Sequence, residues 1–258
     1  MMRRRFYAPP AAFAPDGAKV SLAREESLHL RSVLRLKPGD EAFVFDGEGK
    51  EYVCIVADGR GRGETATLEV RGEVEAQRPE SPLELTLAVA LLKGEKFDLV
   101  VQKATELGVS RVVPVVTKRA DVRLREGREG MERVARWRRL ALEAAKQSGR
   151  ARVPQVCAPV AFASLLVAEA EAGDVAARRL LFAERGGRGL AETVREWETS
   201  PEKLIALVGP EGGWETEEIA EACAAGWLAV TFGGRILRAE TAAIVVAGLL
   251  QHLCGDLV

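Results

Sequence analysis

Two glycine-rich stretches near the end of the chain decide its fold class: Gly209-Pro210-Glu211-Gly212-Gly213, and Gly233-Gly234-Arg235-Ile236-Leu237-Arg238-Ala239-Glu240-Thr241. Each follows a short apolar run, at 204–208 and 228–232, whose continuous hydrophobic pattern is typical of a buried parallel strand. Ligands of open α/β sheets bind where the strands end, and glycine there lets the backbone approach a ligand closely. We therefore predict that these two stretches, the first loop (209–213) and the second loop (233–241), line one small-molecule site.

The region around these loops alternates between strand and helix patterns. Continuous apolar runs predict the strands, and a 3.6-residue periodicity predicts the helices between them. The predicted strands are 83–92, 112–116, 180–182, 204–208 and 228–232, and the predicted helices are 96–107, 129–148 and 241–253. This alternation is typical of an α/β fold with a mostly parallel sheet.

The first 76 residues have a different pattern, in which short strands are joined by turns. Strands are predicted at 41–45, 51–57 and 65–70, and the glycine–arginine repeat 59–63 is interpreted as a hairpin loop. One helix is predicted at 24–36, and its apolar residues Leu28, Val33 and Leu34 are expected to face inward while Arg31 and Arg35 face outward. This pattern favours a small β-barrel, a kind of module that often binds oligonucleotides.

A proline-rich segment separates the two patterns. Arg78-Pro79-Glu80-Ser81-Pro82 is polar and contains two prolines, as linkers between domains often do. We therefore predict one domain at 1–76 and a second at 77–258.

Composition excludes several classes of protein. The chain has 258 residues, of which 47% are hydrophobic, so it can bury a substantial core. Its four cysteines are widely spaced without a C-x-x-C pair, which indicates reduced thiols in a reducing compartment. Only two histidines are present, so neither a metal site nor a Ser-His-Asp triad is predicted. The absence of a signal peptide and of a long apolar run predicts a cytoplasmic protein without a membrane partner.

Charge is unevenly distributed although the net charge is only −1. Residues 93–152 contain sixteen Lys or Arg against eight Asp or Glu, whereas residues 153–258 contain eight against fifteen. One basic region favours a polyanionic partner, but a solvated helix face would produce the same count.

The chemistry of the two loops limits the ligand. Neither G-x-x-x-x-G-K-[ST] nor G-x-G-x-x-G occurs, and Glu211 would repel a phosphate. A ligand with an adenosine to bury and a cationic centre suits such walls better, and S-adenosylmethionine is one such ligand.

Several motifs, in a shared order along nearly the whole chain, resemble those of the RsmE family. Any one of them is a weak signal, but their joint occurrence is specific. They are Arg31-x-Val33-Leu34-Arg35, Phe45-Asp46-Gly47, Lys93-Gly94-Glu95-Lys96, Gln102-Lys103-x-Thr105-Glu106-Leu107-Gly108, Gln147-x-Gly149-Arg150-x-Arg152-Val153-Pro154, and the two loops.

The resemblance implies both a fold and an activity. RsmE proteins are SPOUT-class enzymes that use S-adenosylmethionine to methylate N3 of a uridine in 16S ribosomal RNA of the small ribosomal subunit. The resemblance implies a PUA-like β-barrel followed by a SPOUT-type α/β domain with a C-terminal trefoil knot. It also implies a homodimer that binds RNA and not DNA. The chain departs from the family pattern at Gly234, Ala239, Ala120 and Lys146, where proline, threonine, serine and glutamate are common.

The resemblance also assigns site residues. The residues expected to bind the cofactor are Leu207, Val208, Gly209, Pro210, Glu211, Gly212, Gly213, Phe232, Gly233, Arg235, Ile236, Leu237, Thr241 and Ala242. Positions in the predicted barrel, in loops and at helix ends, rather than the resemblance, indicate the residues expected to contact RNA, although each taken singly is more often a solvated surface charge: Arg5, Arg31, Arg35, Lys93, Lys96, Lys103, Arg119, Arg150 and Arg152.

Arg238 and Glu240 are the predicted catalytic residues. Arg238 is expected to stabilise charge on the uracil oxygens as N3 loses its proton, although a salt bridge to Glu240 would explain it as well. The general base is left open between Glu240, Glu211 and none. Trp214, directly after the first loop, is interpreted as a packing residue rather than a lid over the cofactor.

Two other functions are compatible with parts of the sequence. A non-catalytic RNA-binding assembly factor would bind RNA without the cofactor. A nucleotide-dependent oxidoreductase would bind nicotinamide, but the missing dinucleotide motif disfavours it.

Overall fold

The structure is a computed structural model that describes residues 3–58, 65–120, 128–171, 173 and 176–257, the side chains of residues 128 and 129 excepted. The predicted hairpin loop at 59–63 lies outside the described residues. Contacts divide the chain into two units, Met1–Glu80 with Leu142–Val153, and Ser81–Ala141 with Pro154–Val258.

The first unit contains a five-stranded mixed sheet. Its strands are β1 (Arg5–Tyr7), β2 (Lys19–Ser21), β3 (Glu41–Phe45), β4 (Glu51–Asp58) and β5 (Thr67–Val74), in the order β1-β3-β4-β5-β2. The β1–β3 pair is parallel and the other pairs are antiparallel. One apolar core, which includes Phe6, Val20, Val44 and Leu68, joins all five strands. The three predicted strands are confirmed, while β1 and β2 were missed because each is only three residues long.

The segment predicted as one helix at 24–36 buries different side chains from those predicted. Helix α1 (Arg24–Leu28) ends early, and a π-helical segment, His29–Val33, follows it. Its hydrogen bond from the N–H of Leu34 to the carbonyl of His29 joins residues five apart, which shifts the helix phase. Leu30 is therefore buried, while Leu28 and Val33 are 64% and 66% exposed, so their predicted inward orientation is wrong.

Leu34, the third residue expected to face inward, is 37% exposed. Arg35 follows in the left-handed region at φ 53°, which directs the chain away from the helix.

The second unit alternates strands and helices. Its strands are β6 (Glu84–Ala90), β7 (Arg111–Val116), β8 (Gln155–Val156), β9 (Val160–Ala161), β10 (Arg178–Phe182), β11 (Arg188–Gly189), β12 (Lys203–Val208) and β13 (Leu228–Thr231). The helices are α2 (Lys96–Glu106), α3 (Arg128–Ser148, whose last turns belong to the first unit), α4 (Phe162–Glu171), α5 (Leu190–Arg195), α6 (Thr216–Ala224) and α7 (Ala239–Cys254).

All the strand pairs of this sheet within the described residues are parallel, which confirms the predicted α/β architecture. The order is β11-β13-β10-β12-β6-β7-β8, with β9 also paired to β7. Every predicted strand and helix of this unit is present. The sequence missed β8, β9 and β11, which are two residues long, and the helices α4, α5 and α6.

Three neighbouring strands of this sheet end side by side. Phe182, the last residue of β10, is in register with Val208 of β12 on one side and with Val230 of β13 on the other. The loops that follow these three strands therefore leave the sheet at the same edge, where ligands of α/β proteins bind.

Helix α7 begins at Ala239, two residues before the predicted start, so the second loop ends inside its first turn. Ala243, Val246, Ala247 and Leu250 are fully buried, as expected of an apolar core helix. Within the described residues, no helix is both long enough and apolar enough to cross a bilayer.

Candidate active site

A cleft opens at the sheet edge where β10, β12 and β13 end. Three loops form its walls: the first loop, the second loop, and a third loop at 183–187 that follows β10. The lining residues are Phe182, Ala183, Glu184, Val208, Gly209, Pro210, Gly213, Trp214, Thr231, Phe232, Gly233, Gly234, Arg235, Ile236, Leu237, Ala239 and Ala242. The cleft is therefore mainly apolar side chain and glycine backbone, with one carboxylate, Glu184, and one guanidinium, Arg235.

Sequence reasoning missed the third loop although its signal was present. Leu180 to Phe182 is an apolar run, and Gly186-Gly187 follows it after three residues, the same pattern that identified the other two loops. The intervening Ala183, Glu184 and Arg185 separate the glycines from the strand. The pattern of an apolar run closed by glycine therefore does not mark Glu184 as a site residue.

Residues that flank the three loops contact one another directly. The indole N–H of Trp214 donates to the carbonyl of Phe182 at 2.8 Å, and the rings of Phe182 and Phe232 lie 5.9 Å apart. A Cβ atom at Gly209 would stand 2.8 Å from the indole nitrogen, so only glycine permits this packing of Trp214. Trp214 also packs on Phe162, with ring centroids 5.5 Å apart, so it both packs and lines the cleft.

The second loop adopts backbone conformations that favour glycine. Gly233 and Gly234 have φ of +64° and +76°, and no described atom lies within 4 Å of a Cβ built at either position. Proline, which is common in the family at position 234, is confined to φ near −65° and cannot adopt this conformation. The loop backbone is consequently open to a ligand.

Most of the expected cofactor residues line the cleft. Those that do so are Val208, Gly209, Pro210, Gly213, Phe232, Gly233, Arg235, Ile236, Leu237 and Ala242. Four do not: Leu207 is buried inside β12, Thr241 is exposed on α7, Gly212 lies against Arg119, and Glu211 lines a second cavity.

The second cavity adjoins the cleft and is strongly charged. Its lining comprises Lys96, Glu184, Glu211, Ile236, Leu237 and Arg238. Glu184, Ile236 and Leu237 line both spaces, so these three residues mark the junction between them. The ammonium of Lys96 and the carboxylate of Glu211 form an ion pair in this cavity.

The two predicted catalytic residues occupy different environments. Arg238 is exposed at the N-cap of α7, and within the described residues its guanidinium has no ion pair. Glu240 is only 9% exposed in the first turn of α7, and one of its carboxylate oxygens is buried without a hydrogen-bond partner. No salt bridge joins these two described residues, so that explanation of Arg238 is not supported.

A capping box beyond the first loop fixes the start of α6. Glu218 is 1% exposed; its carboxylate accepts hydrogen bonds from the backbone N–H groups of Lys118 and Glu215, both at 3.0 Å. A hydrogen bond to Glu215 raises the pKa of Lys118. Arg119 donates to the carbonyl of Gly212 at 3.0 Å, which ties the first loop to the same cluster.

Two of the expected RNA-contacting arginines are buried and paired in the first unit. The side chain of Arg5 is 5% exposed and pairs with Glu51 at 3.1 Å. The side chain of Arg150 is 6% exposed and pairs with Glu80 at 2.7 Å.

The other expected RNA-contacting residues are at least partly accessible. Arg35, Lys93, Arg119 and Arg152 are exposed, whereas Arg31, Lys96 and Lys103 are half-buried. Lys103 pairs with Glu106 at 2.7 Å.

The composition of the cleft fits S-adenosylmethionine. Apolar walls and open glycine backbone can hold an adenosine, and the carboxylate of Glu184 suits a positively charged ligand. Val208 to Pro210, Phe232 to Leu237 and Ala242 would hold the nucleoside.

Comparison with known proteins identifies the family. The family model of an RNA methyltransferase domain matches residues 79–251, about two thirds of the chain. The chain belongs to this RNA methyltransferase family. A model of an RNA methyltransferase PUA domain also matches residues 22–68, which confirms the PUA-like fold of the first unit.

Full-length relatives of this RNA methyltransferase carry a more specific name. "Ribosomal RNA small subunit methyltransferase E" of Synechocystis is 34% identical over 92% of this chain and 74% of its own length. The protein of the same name from Bacillus subtilis is 26% identical over 97% of this chain and 96% of its own length.

Solved structures resemble the RNA methyltransferase over its whole length. Ribosomal RNA small subunit methyltransferase E of Neisseria gonorrhoeae, bound to S-adenosylmethionine, has a TM-score of 0.84 and 31% identity, with 100% of each chain covered. A protein of Legionella pneumophila, solved with the bound cofactor SAM, has a TM-score of 0.83 and 29% identity, with 99% of this chain and 100% of that chain covered.

Proposed function

We propose that this protein transfers a methyl group from S-adenosylmethionine to N3 of a uridine in 16S ribosomal RNA of the small ribosomal subunit. The observation that carries the proposal is the pair of adjoining spaces, an apolar cleft suited to a nucleoside and a charged cavity that opens from it. The names of the relatives and the cofactor bound by two similar structures support the same activity.

The first and second loops hold the cofactor in this proposal. Bound there, the cofactor supplies an electrophilic methyl group on a sulfonium. The protein contributes the dry walls around the adenosine and fixes the direction in which the methyl group points. Positioning of this kind accounts for a large part of the rate of a two-substrate reaction.

The charged cavity receives the uracil. N3 lies on the base-pairing edge, so the uridine has to be unpaired or flipped out before it enters. N3 loses its proton as it gains the methyl group, and negative charge develops on the neighbouring uracil oxygens. Arg238, exposed and without an ion pair among the described residues, stabilises that charge.

The proton from N3 requires an acceptor. Glu211 lines the cavity, where its carboxylate is already held in an ion pair with Lys96. Glu240 has a buried carboxylate oxygen without a partner and stands two residues from Arg238. Glu240 lines neither the cleft nor the cavity, so the general base stays open between Glu240, Glu211 and none.

Exposed or half-buried cations grip the RNA phosphates. The proposed set is Arg31, Arg35, Lys93, Lys96, Lys103, Arg119 and Arg152. Arg5 and Arg150 are left out of it because their guanidinium groups are buried and paired.

The remaining family properties stay part of the proposal. They are a PUA-like domain at 1–76, a SPOUT domain at 77–258 with a trefoil knot, a homodimer, and action on ribosomal RNA in the cytoplasm.

The test uses purified protein, small ribosomal subunits lacking the modification, and S-adenosylmethionine with a tritiated methyl group. Label is expected in 16S RNA, with a stop to reverse transcription at one uridine because N3-methylation removes its pairing donor. RNA binding without any label would instead indicate a non-catalytic assembly factor. Label on a base that does not stop reverse transcription would contradict the N3 assignment.

A further inference from the structure

The junction between the cleft and the charged cavity is where a methyl group would pass from the cofactor to the uracil. If the cofactor fills the cleft and the uracil fills the cavity, the sulfonium and the acceptor nitrogen meet where the two spaces join. Only three described residues line both spaces: Glu184, Ile236 and Leu237. The inference that follows rests on the proposed function, because it uses the cofactor and acceptor assigned there.

Among the described residues that line both spaces, only Glu184 is charged. Arg235 lines the cleft alone, and Arg238 lines the cavity alone. The remaining charges of the cavity, on Lys96 and Glu211, are paired with each other. A sulfonium held at this junction would therefore have Glu184 as its nearest uncompensated charge among these residues.

The backbone that carries Glu184 is firmly held. The N–H of Ala183 donates to the carbonyl of Val230 at 2.9 Å. Three residues further on, a Cβ atom at Gly187 would stand 2.6 Å from the carbonyl carbon of Val230, so the chain packs directly on β13 at that point. Glu184 lies between these two fixed positions and is placed by the sheet itself.

We propose that Glu184 determines the preference of this protein for the methylated cofactor over its demethylated product. S-adenosylmethionine carries a positive charge on sulfur, and S-adenosylhomocysteine carries none there. A carboxylate at the junction attracts the first and is indifferent to the sulfur of the second, so product release is favoured once the methyl group has left. Glu184 is thus a specificity-determining residue that lies outside both the first loop and the second loop.

Binding calorimetry with each of the two compounds tests this role without measuring turnover. Glu184→Gln is expected to lower the ratio of the Kd for S-adenosylhomocysteine to the Kd for S-adenosylmethionine about fivefold. This is the effect of a charge pair at about 4 Å in a water-like dielectric. Glu184→Asp, which keeps the charge, is expected to retain most of the ratio. Because the pair is solvent-exposed, added salt should lower the ratio in the wild type and leave it unchanged in Glu184→Gln.

A matched variant serves as the control. Glu171→Gln removes an exposed carboxylate at the end of α4 and is not expected to change the ratio more than about twofold. An equal change of both affinities in Glu184→Gln, or no change in either, would overturn the inference while leaving the proposed function intact. Failure of the wild type to bind both compounds would instead overturn the proposed function and this inference with it.

Discussion

Arginines play opposite roles in the two units of this protein. In the first unit, Arg5 and Arg150 are almost completely buried, and each is fixed by a carboxylate, Glu51 or Glu80. At the sheet edge of the second unit, Arg235 and Arg238 are exposed beside the cleft and the cavity, and neither has an ion pair among the described residues. The residue type is the same, but only the second pair is available to a ligand.

The difference shows that burial and pairing, rather than charge, separate structural from functional arginines. A buried guanidinium that loses its carboxylate leaves an uncompensated charge in a low-dielectric interior, so the pair maintains the fold. An exposed guanidinium contributes little to stability and can respond to charge that develops on a substrate.

The largest expected effect is on the stability of the first unit. Glu51 is fully buried and accepts hydrogen bonds from Arg3, Arg5 and the backbone N–H of Gln77. Glu51→Ala is expected to lower the free energy of unfolding by about 3–5 kcal/mol, as removal of one partner from a buried ion pair does. Urea denaturation monitored by circular dichroism would measure the change.

Glu69→Ala is the matched control in the same unit. Glu69 pairs with Arg71 at 2.7 Å, but both side chains are exposed, so the expected loss is about 0.5 kcal/mol or less. Equal losses in the two variants would contradict the structural role assigned to the buried arginines.

A change at the sheet edge should affect turnover rather than stability. Arg238→Ala is expected to lower kcat about 10²- to 10³-fold, because a group that stabilises developing charge is removed. The Kd for S-adenosylmethionine, measured by calorimetry, should stay within about twofold of the wild type since Arg238 does not line the cleft.

Arg235→Ala provides the reciprocal case. Arg235 lines the cleft and not the charged cavity, so its removal should alter the cofactor Kd more than kcat. If Arg238→Ala weakened cofactor binding and turnover to the same extent, Arg238 would have a structural role only.

The smallest expected effect concerns RNA binding by an exposed arginine of the first unit. Arg35→Ala should lower the slope of log K against log salt concentration by about 0.7–0.9, the contribution of one phosphate contact. Filter binding to 16S RNA over a salt series would measure it, and stability should not change. Arg71→Ala, another exposed arginine of this unit, should leave the slope as it is; an equal reduction there would indicate unspecific attraction.

Local patterns were sufficient to predict the parallel sheet and two of the three site loops. Continuous apolar runs followed by glycine identified β12 and β13 together with their loops, and most of the expected cofactor residues line the cleft. The third loop was missed because three residues, Ala183 to Arg185, lie between the end of β10 and the glycines of that loop. Its position beside the others follows from the strand order, which no local pattern specifies.

Long-range pairing explains the other differences. The partners Arg5 and Glu51 are 46 residues apart, and Arg150 and Glu80 are 70 apart, so no spacing rule could show that these arginines are buried. The outward-facing Leu28 and Val33 depend on a π-helical segment, which breaks the 3.6-residue period on which the prediction relied.

A crystal structure of this protein with S-adenosylmethionine tests the central claim most directly. The cofactor is expected between the three loops that follow β10, β12 and β13, with its methyl group at the junction marked by Glu184, Ile236 and Leu237 and pointing towards Arg238. A cofactor bound elsewhere, or one whose methyl group points away from the charged cavity, would contradict the account.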